Sequence, residues 1–278
     1  MAVHAHPDDE SSKGGATLAH YAHHGVEVTV VTCTGGGRGD VLNPLLDTPD
    51  IRAALSEVRR REMAAAAEVL GVRQRFLGFT DSGLPGPGEP LPDGCFAVQE
   101  VTTAAERLVE VIRSVRPHVL ITYDSSGGYP HPDHLQTHRV AVEAFDAAGD
   151  PARFVGAGPV WQPLKLYYLV AFSRTWFETL HRGMTAQGIP SSIGPVLEGW
   201  PDWAAELTPT TRIRCDDHFA TRDRAFRAHA TQAAPDNPFF SHPRDLERAL
   251  WPTEDYVLAR SHVTARLPES NLFAGIKE

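Results

Sequence analysis

Hydrophobic and polar positions along the first half of the chain fall into blocks that predict strands and helices in turn. Residues 1–6 are short and apolar apart from two histidines, while residues 11–24 are rich in Ala and His at helical spacing. Residues 26–34 are mainly β-branched and carry no charge apart from Glu27, which is typical of a strand covered on both faces. The chain therefore begins as strand, helix, strand.

The same alternation continues further along the chain. A helical pattern at 51–70 ends at Gly71 and is followed by a strand pattern at 74–79, and a second helical pattern at 99–115 precedes a strand pattern at 118–123. Strands that alternate with helices pair in parallel through helical crossovers. We predict an α/β fold, a Rossmann-like three-layer sandwich with a mainly parallel sheet.

The alternation weakens after about residue 155. Residues 165–172 still have a strand pattern, residues 173–205 are mixed, and residues 216–232 are helical. We predict a catalytic core at 1–155 and a C-terminal part at 156–278. The second part packs on the core, covers the site and shapes the substrate pocket within one continuous domain.

Composition narrows the range of partners. The formal net charge is -9 and no dense run of Lys or Arg could follow a phosphate backbone, so nucleic acid is not expected as a partner. Three cysteines without a CxxC spacing indicate reduced thiols and a cytoplasmic location. The first residues lack the features of a secretory signal, and no apolar run approaches the ~20 residues of a membrane span. No membrane partner is expected.

Two polar clusters follow predicted strands at the carboxyl edge of the sheet, where ligands collect in such folds. The clusters are HPDDE at 6–10 and YPHPDH at 129–134. A catalytic zinc commonly takes three protein ligands from His and carboxylate side chains and keeps a fourth position for water. His6, Asp9 and His134 would supply that set, and Asp8 would stay free to act as a base.

Each cluster also has a simpler interpretation. Aspartate before an Ala-rich helix is stabilised by the exposed N–H groups of the first turn, and a lone HxxH is a weak metal signal. Two such clusters at one edge of the same sheet are much less probable as independent helix caps. Together they favour a metal site.

HPDDE followed by HPDH resembles the metal-dependent deacetylase superfamily that includes N-acetylglucosaminylphosphatidylinositol de-N-acetylase. Within that superfamily the chain is most similar to the branch of mycothiol S-conjugate amidases, and the likeness runs nearly from end to end. The segments that carry it are AVHAHPDDESSKG (2–14), FTDSGLP (79–85), TYDSSGGYPHPDH (122–134), RAHATQ (227–232) and LWPTE (250–254).

The resemblance implies that His6, Asp9 and His134 hold zinc and that Asp8 is the general base. It also implies that His131 stabilises the oxyanion or assists the leaving group. Because sites of nitrogen and oxygen ligands accept several divalent metals, Fe2+ is an alternative to zinc.

Three further residues have a role in this interpretation and a plainer alternative. Asp133 is expected to orient a histidine ligand, or else to be a turn residue of a loop. Tyr129 falls where the family has a mobile tyrosine that can donate to the carbonyl oxygen, and the alternative is a tyrosine that packs in the core. Lys13 matches a lysine that helps the amidase branch recognise its larger substrate, and otherwise is a solvated helix lysine.

Substrate contacts are implied at two more positions. Arg59 and Asp81 match family positions associated with sugar and inositol hydroxyls, and either could instead belong to a structural ion pair. Gly37, in the loop at 35–40, stands where the amidases usually carry Glu, and residues 180–206 resemble the family poorly. These departures concern substrate choice.

By this resemblance the chain is a cytoplasmic amide hydrolase whose partner is a small-molecule thiol conjugate. It would cut the cysteinyl-glucosamine amide of a mycothiol S-conjugate to a mercapturate and glucosaminyl-inositol. Two enzymatic alternatives are the same cleavage on a mycothiol adduct in a natural-product pathway and deacetylation of N-acetylglucosaminyl-inositol. A non-catalytic zinc- or sugar-binding module is the alternative of another class, and the oligomeric state stays open.

Overall fold

Strands from both halves of the chain join into one sheet in the computed structural model, which describes residues 1–86, 88–170, 173–204 and 206–277. The strands are β1 Ala2–His4, β2 Thr29–Thr34, β3 Arg73–Phe79, β4 Val119–Thr122, β5 Lys165–Leu169, β6 Thr211–Arg214 and β7 Thr253–Ser261. The helices are α1 Asp9–Ser12, α2 Gly15–His23, α3 Pro49–Ala53, α4 Leu55–Leu70, α5 Val101–Val115, α6 Pro132–Ala147, α7 Arg174–Ala186, α8 Ile193–Glu198, α9 Phe219–Ala228 and α10 Arg244–Leu250.

The strand order is β3-β2-β1-β4-β5-β7-β6. The first five strands pair in parallel, whereas β7 runs antiparallel to both β5 and β6. This confirms the predicted α/β fold with a mainly parallel sheet. The strand predicted at 26–34 begins only at Thr29. Residues 171 and 172 of the strand predicted at 165–172 lie outside the described residues.

Alternate strand residues face two different helical layers. Val3 and Val31 pack with α5 and α6 in one cluster, whereas Ala2 and Val30 pack with α2 and α4 in the other. α9 lies outside α4 and α2 as a further layer on that side. Because both faces are covered, every residue of β1, β2 and β4 is buried and none of them is an acid, a lysine or an arginine.

The helix predicted at 11–24 is interrupted. α1 ends at Ser12 and α2 begins at Gly15, with Gly14 between them at a φ of +92°. A Cβ added at Gly14 would lie 3.1 Å from a Leu169 methyl carbon and 3.2 Å from the Tyr256 hydroxyl. The backbone therefore needs glycine here, because the turn passes directly over β5 and β7.

The C-terminal part contributes strands as well as helices. β6 and β7 extend the sheet, and α7, α8 and α10 share a small core of their own. The helix predicted at 216–232 is shorter than expected, since a 3-10 turn at Asp216–His218 precedes α9 and residues 229–232 form turns. None of the described helices is long and apolar enough to cross a membrane.

Candidate metal centre and active site

Three side chains from the two motifs meet at the carboxyl edge of β1 and β4. The nearest oxygen of Asp9 lies 3.6 Å from Nδ1 of His6 and 3.4 Å from Nε2 of His134. All three ligand atoms lie within 4.8 Å of one another, and all three residues are buried. Neighbouring ligand atoms in a tetrahedral zinc site with bonds of about 2.1 Å are about 3.4 Å apart. The predicted ligand set therefore has the spacing that a metal ion needs.

In both His134 and His6, one ring nitrogen faces a hydrogen-bond acceptor, and the other nitrogen keeps a lone pair that could bind a metal. His134 Nδ1 faces the Gly127 carbonyl at 2.9 Å, so it carries the proton and Nε2 keeps its lone pair. That Nε2 is fully buried and has no hydrogen-bond partner. His6 Nε2 faces Asp133 at 3.2 Å, which in the same way leaves the lone pair of Nδ1 towards Asp9. A buried imidazole nitrogen without a partner is explained if a metal binds there.

A second group, formed by His6, His131 and Asp133, has a similar spacing but unsuitable chemistry. Nδ1 of His131 accepts the backbone N–H of Asp133 at 3.1 Å, so the proton of the neutral ring is on Nε2. A protonated nitrogen cannot bind a metal. His131 can instead donate Nε2–H, and its ring lies 4.6 Å from that of His6. Burial lowers the pKa of His131 to about 3, so the ring is neutral in this environment.

Asp133 makes the contacts expected of a residue that orients a histidine ligand. Its Oδ2 accepts the backbone N–H of Ser82 at 2.8 Å and faces His6 at 3.2 Å. Carboxylates in this position fix the ring and raise its basicity. The side chain is fully buried at the start of α6.

One residue behind the candidate ligands, Tyr123, was not expected from the sequence. The Tyr123 ring stacks on His134 with centroids 4.4 Å apart and planes 8° apart. Its hydroxyl accepts the N–H of Ala5 and lies 3.3 Å from Nδ1 of His4. Tyr123 therefore fixes the plane of a ligand and joins β4 to β1. Its position at the end of a predicted strand next to a histidine motif was the available signal.

Asp8 lies in a strained turn immediately before α1. Its φ is 104°, a value that residues with a side chain adopt rarely, and it is the N-cap residue that precedes α1. Burial raises the pKa of the Asp8 carboxyl, while the Arg59 guanidinium at 3.6 Å opposes that shift. The carboxyl is partly open to solvent, with 22% of the side chain exposed. Asp8 thus has the access and the setting of a general base.

The turn that carries Asp8 is held by a second pair that the sequence did not reveal. One Glu10 oxygen accepts the Asp8 N–H at 3.0 Å, and the other lies 2.7 Å from Nε2 of His229. Glu10 and His229 are both completely buried. His229 lies within RAHATQ, one of the segments that carry the family resemblance, but the resemblance gave this histidine no role.

Arg59 and Asp81 bond to the backbone of nearby loops. Arg59 donates to the carbonyls of Pro7 at 2.5 Å and Gly36 at 3.0 Å, which ties the Asp8 turn to the neighbouring glycine loop. Asp81 accepts the N–H groups of Arg38 and Gly83. Their expected role in binding the hydroxyl groups of the substrate stays a prediction.

Lys13 and Tyr129 lie at the mouth of the site. Lys13 Nζ is 2.6 Å from Asp9 Oδ1 and 5.7 Å from the centroid of the Tyr129 ring. The same tyrosine ring is 4.5 Å from His134 and 6.5 Å from Trp203. Lys13 is therefore no solvated helix lysine, and its ammonium group touches the carboxylate of the ligand set.

The glycine loop is closely packed. A Cβ added at Gly37 would lie 2.9 Å from the Cβ of Ser56 in α4. A glutamate at this position would require the loop at 35–40 to move away from the helix.

Comparisons with known proteins agree with this arrangement. The family model described as GlcNAc-PI de-N-acetylase (PIG-L) matches residues 1–145, which include both motifs. The mycothiol S-conjugate amidase of Streptomyces coelicolor is 50% identical, over 100% of this chain and 97% of the relative. The 1D-myo-inositol 2-acetamido-2-deoxy-alpha-D-glucopyranoside deacetylase of Streptomyces avermitilis is 41% identical, over 99% of this chain and 96% of the relative.

A solved structure shares the fold at low sequence identity. The N,N'-diacetylchitobiose deacetylase from Pyrococcus horikoshii has a TM-score of 0.63 and 18% identity, covering 92% of this chain and 82% of that one. The family model spans more than half of the chain, and relatives named as amidase and deacetylase match nearly all of it. The chain belongs to the GlcNAc-PI de-N-acetylase (PIG-L) family of amide-hydrolysing enzymes.

Proposed function

We propose that the protein is a zinc-dependent amidase that hydrolyses mycothiol S-conjugates. The bond cut is the amide between the modified cysteine and glucosamine, and the products are a mercapturate and glucosaminyl-inositol. The observation that carries this proposal is the end-to-end identity of 50% with a relative named mycothiol S-conjugate amidase. The spacing of His6, Asp9 and His134 and the buried Nε2 of His134, which has no hydrogen-bond partner, support the zinc site.

The proposed mechanism assigns one task to each side chain. His6, Asp9 and His134 would hold the metal, which when bound lowers the pKa of water and polarises a carbonyl group. Asp8 takes the proton from the water as its oxygen attacks the amide carbon. His131 donates its Nε2–H to the developing oxyanion. As the carbon–nitrogen bond breaks, the proton that Asp8 accepted passes to the glucosamine nitrogen.

Tyr129 and Lys13 act at the edge of this reaction. Tyr129 donates from its hydroxyl to the carbonyl oxygen, and Lys13 contacts the thiol-conjugate end of the substrate from its position beside Asp9. Arg59 and Asp81 hold the loops that would receive the sugar and inositol. We place the reaction in the cytoplasm, and in support all three cysteines are buried and unpaired.

A second candidate function is deacetylation of N-acetylglucosaminyl-inositol. It is favoured by a relative at 41% identity that is named as such a deacetylase. The ligand set and base would serve either amide equally well, because both reactions attack an acyl carbon on the same glucosamine nitrogen. Only the acyl group differs, so the two functions are distinguished by which of the two substrates the protein hydrolyses faster.

The deciding experiment measures hydrolysis of a bimane-labelled mycothiol conjugate and of N-acetylglucosaminyl-inositol by the purified protein. We expect faster cleavage of the conjugate, loss of activity on chelation and recovery with zinc. Asp8→Asn should lower kcat by about 10²–10⁴-fold while metal content stays equal to that of the wild type. A higher kcat/KM for the acetylated substrate would replace the amidase proposal with the deacetylase.

A further inference from the structure

A cavity of about 500 Å³ opens beside the candidate metal centre, at the carboxyl end of β5. Its walls come from α7, α8, α9, α10 and the segment at 237–241, together with the turn between α1 and α2 and parts of β5 and β7. Binding sites for drug-sized ligands typically measure about 300–1,000 Å³. The cavity is therefore large enough for a substantial part of a substrate, and it is built mainly by the C-terminal part of the chain.

The walls are rich in aromatic side chains. These aromatic side chains include Trp176, Phe177, Phe226, Phe239 and Trp251. Trp176 packs edge to face on Phe177 with centroids 4.9 Å apart, and Phe226 packs on Phe239 at 4.7 Å. Aromatic walls that are fixed by such contacts offer flat faces to another ring.

Four polar residues of the cavity wall, Arg222, His242, Arg244 and Glu247, are already paired with one another. Arg222 donates to both oxygens of Glu247, at 2.9 and 3.1 Å, and Arg244 donates to Glu247 at 2.9 Å. His242 lies 3.0 Å from the same carboxylate. A polar ligand would have to displace these bonds, so the cavity favours an apolar occupant.

Lys13 joins the cavity to the reaction centre. It lines the cavity, and its ammonium group lies 2.6 Å from the Asp9 carboxylate of the ligand set. Only the length of the Lys13 side chain thus separates the cavity from the place where the amide would react. In a cysteine S-conjugate, only three bonds separate the amide carbonyl carbon from the sulfur, so the group on sulfur must lie close to the reacting bond.

We propose that this cavity binds the group carried on the sulfur of the substrate and selects large apolar, aromatic substituents. The inference rests on the proposed amidase function. The other end of the substrate, a glucosaminyl-inositol, carries many hydroxyl groups, whereas the arginines of these walls are already bonded to Glu247. α8, which lies in the segment at 180–206 where we expect from the sequence a difference from the family, lines the cavity.

The test compares two mycothiol conjugates, one with a naphthylmethyl and one with a methyl group on sulfur. Val196 lines the cavity and is 40% exposed, so Val196→Glu adds a charge to the wall at little cost to folding. We expect the ratio of kcat/KM values, naphthylmethyl over methyl, to fall about tenfold. The matched control is Val98→Glu, at a position 48% exposed and away from the cavity, which should leave both values unchanged.

A binding measurement makes the result independent of turnover. S-Naphthylmethyl-N-acetylcysteine carries the same thioether end, and its affinity is measured by calorimetry for wild type, Val196→Glu and Val98→Glu. Circular dichroism melting curves verify that each variant is folded. We expect binding to the wild type and Val98→Glu and a loss of about tenfold in Val196→Glu.

The outcomes separate the two proposals. Trp176→Ala, at another wall residue, is a second variant. If the wild type cleaves both conjugates, and both Val196→Glu and Trp176→Ala keep the wild-type ratio of kcat/KM values, the cavity does not bind the sulfur substituent. If the wild type cleaves neither conjugate, the amidase function is wrong, and the calorimetry alone decides on the cavity. Binding that Val196→Glu weakens then supports the apolar site, whereas binding that is absent or unaltered overturns it.

Discussion

Each histidine of the candidate centre is controlled by the bond on its second ring nitrogen. The Gly127 carbonyl fixes the tautomer of His134, and Asp133 does the same for His6. The N–H of Asp133 fixes the opposite tautomer in His131. Three chemically identical rings therefore divide into two that can bind a metal and one that can donate a proton.

Replacement of the supporting carboxylate tests this division. We expect Asp133→Asn to weaken metal binding by about 10–100-fold, because a neutral amide orients His6 less firmly and withdraws charge from its ring. Competition with a metal indicator dye measures the affinity. Asp146→Asn, an exposed change in the same helix, is the control and should bind metal like the wild type. Equal affinities in all three proteins would show that Asp133 does not support His6.

The sequence predicted the ligand residues because their motifs are local. His6 and Asp9 lie three positions apart, and the HPDH motif places His134 at the start of a helix. It could not predict Glu10 with His229, since no local pattern links positions so far apart. Their pairing depends on where α9 packs, which only the folded chain decides.

At the scale of elements, the turn between α1 and α2 determines how the site meets its cavity. Helical spacing extends across 11–24, so the pattern alone predicts one helix. The interruption has a tertiary cause, the close passage of Gly14 over β5 and β7. It turns Lys13 towards Asp9.

Two glycine substitutions distinguish the energetic cost of a strained backbone from the cost of steric crowding. Gly14→Ala and Gly25→Ala both place a side chain at positive φ, which costs about 1–2 kcal/mol. Only Gly14 has neighbours within 4 Å of the added carbon, so we expect Gly14→Ala to lose roughly 1–2 kcal/mol more in the free energy of unfolding. Urea titrations measure both. Equal losses would mean that β5 and β7 do not restrict the turn.

The pattern predicted the five parallel strands and missed the two antiparallel ones. β6 alternates buried and exposed residues over only four positions, with arginines outside, and β7 begins with polar residues. Such short amphipathic segments have no distinctive signal without the partner strand. The buried parallel strands were recognisable because they are apolar on both faces.

At the scale of the whole molecule, the two parts of the chain share one sheet, and the C-terminal part holds a buried ionic cluster. Arg222 in α9 pairs with Glu247 in α10, and Arg244 joins Glu247 to Asp223. Burial opposes ionisation of Glu247, yet His242 and Arg222 hold its pKa well below the usual range. The cluster thus depends on an ionised carboxylate.

The pH dependence of stability follows from this shift. A carboxyl whose pKa is lowered by folding stabilises the protein above its unfolded pKa of about 4.3, and the stabilisation is lost as the pH falls. We expect Glu247→Gln to cost about 3 kcal/mol at pH 7, because two arginines lose their main counter-charge. The difference from the wild type should shrink between pH 5 and 3, as measured by urea unfolding. A constant difference across this range would contradict the assignment.

The bond between Glu10 and His229 joins residues 219 positions apart. During synthesis the turn that carries Asp8 emerges from the ribosome before its anchor, which follows α9. Contacts across such a separation form late, because closing the intervening loop must precede them. A nascent or truncated chain that lacks His229 therefore holds both histidine motifs without a formed catalytic turn, and hydrolysis begins only once this later segment has been made and packed.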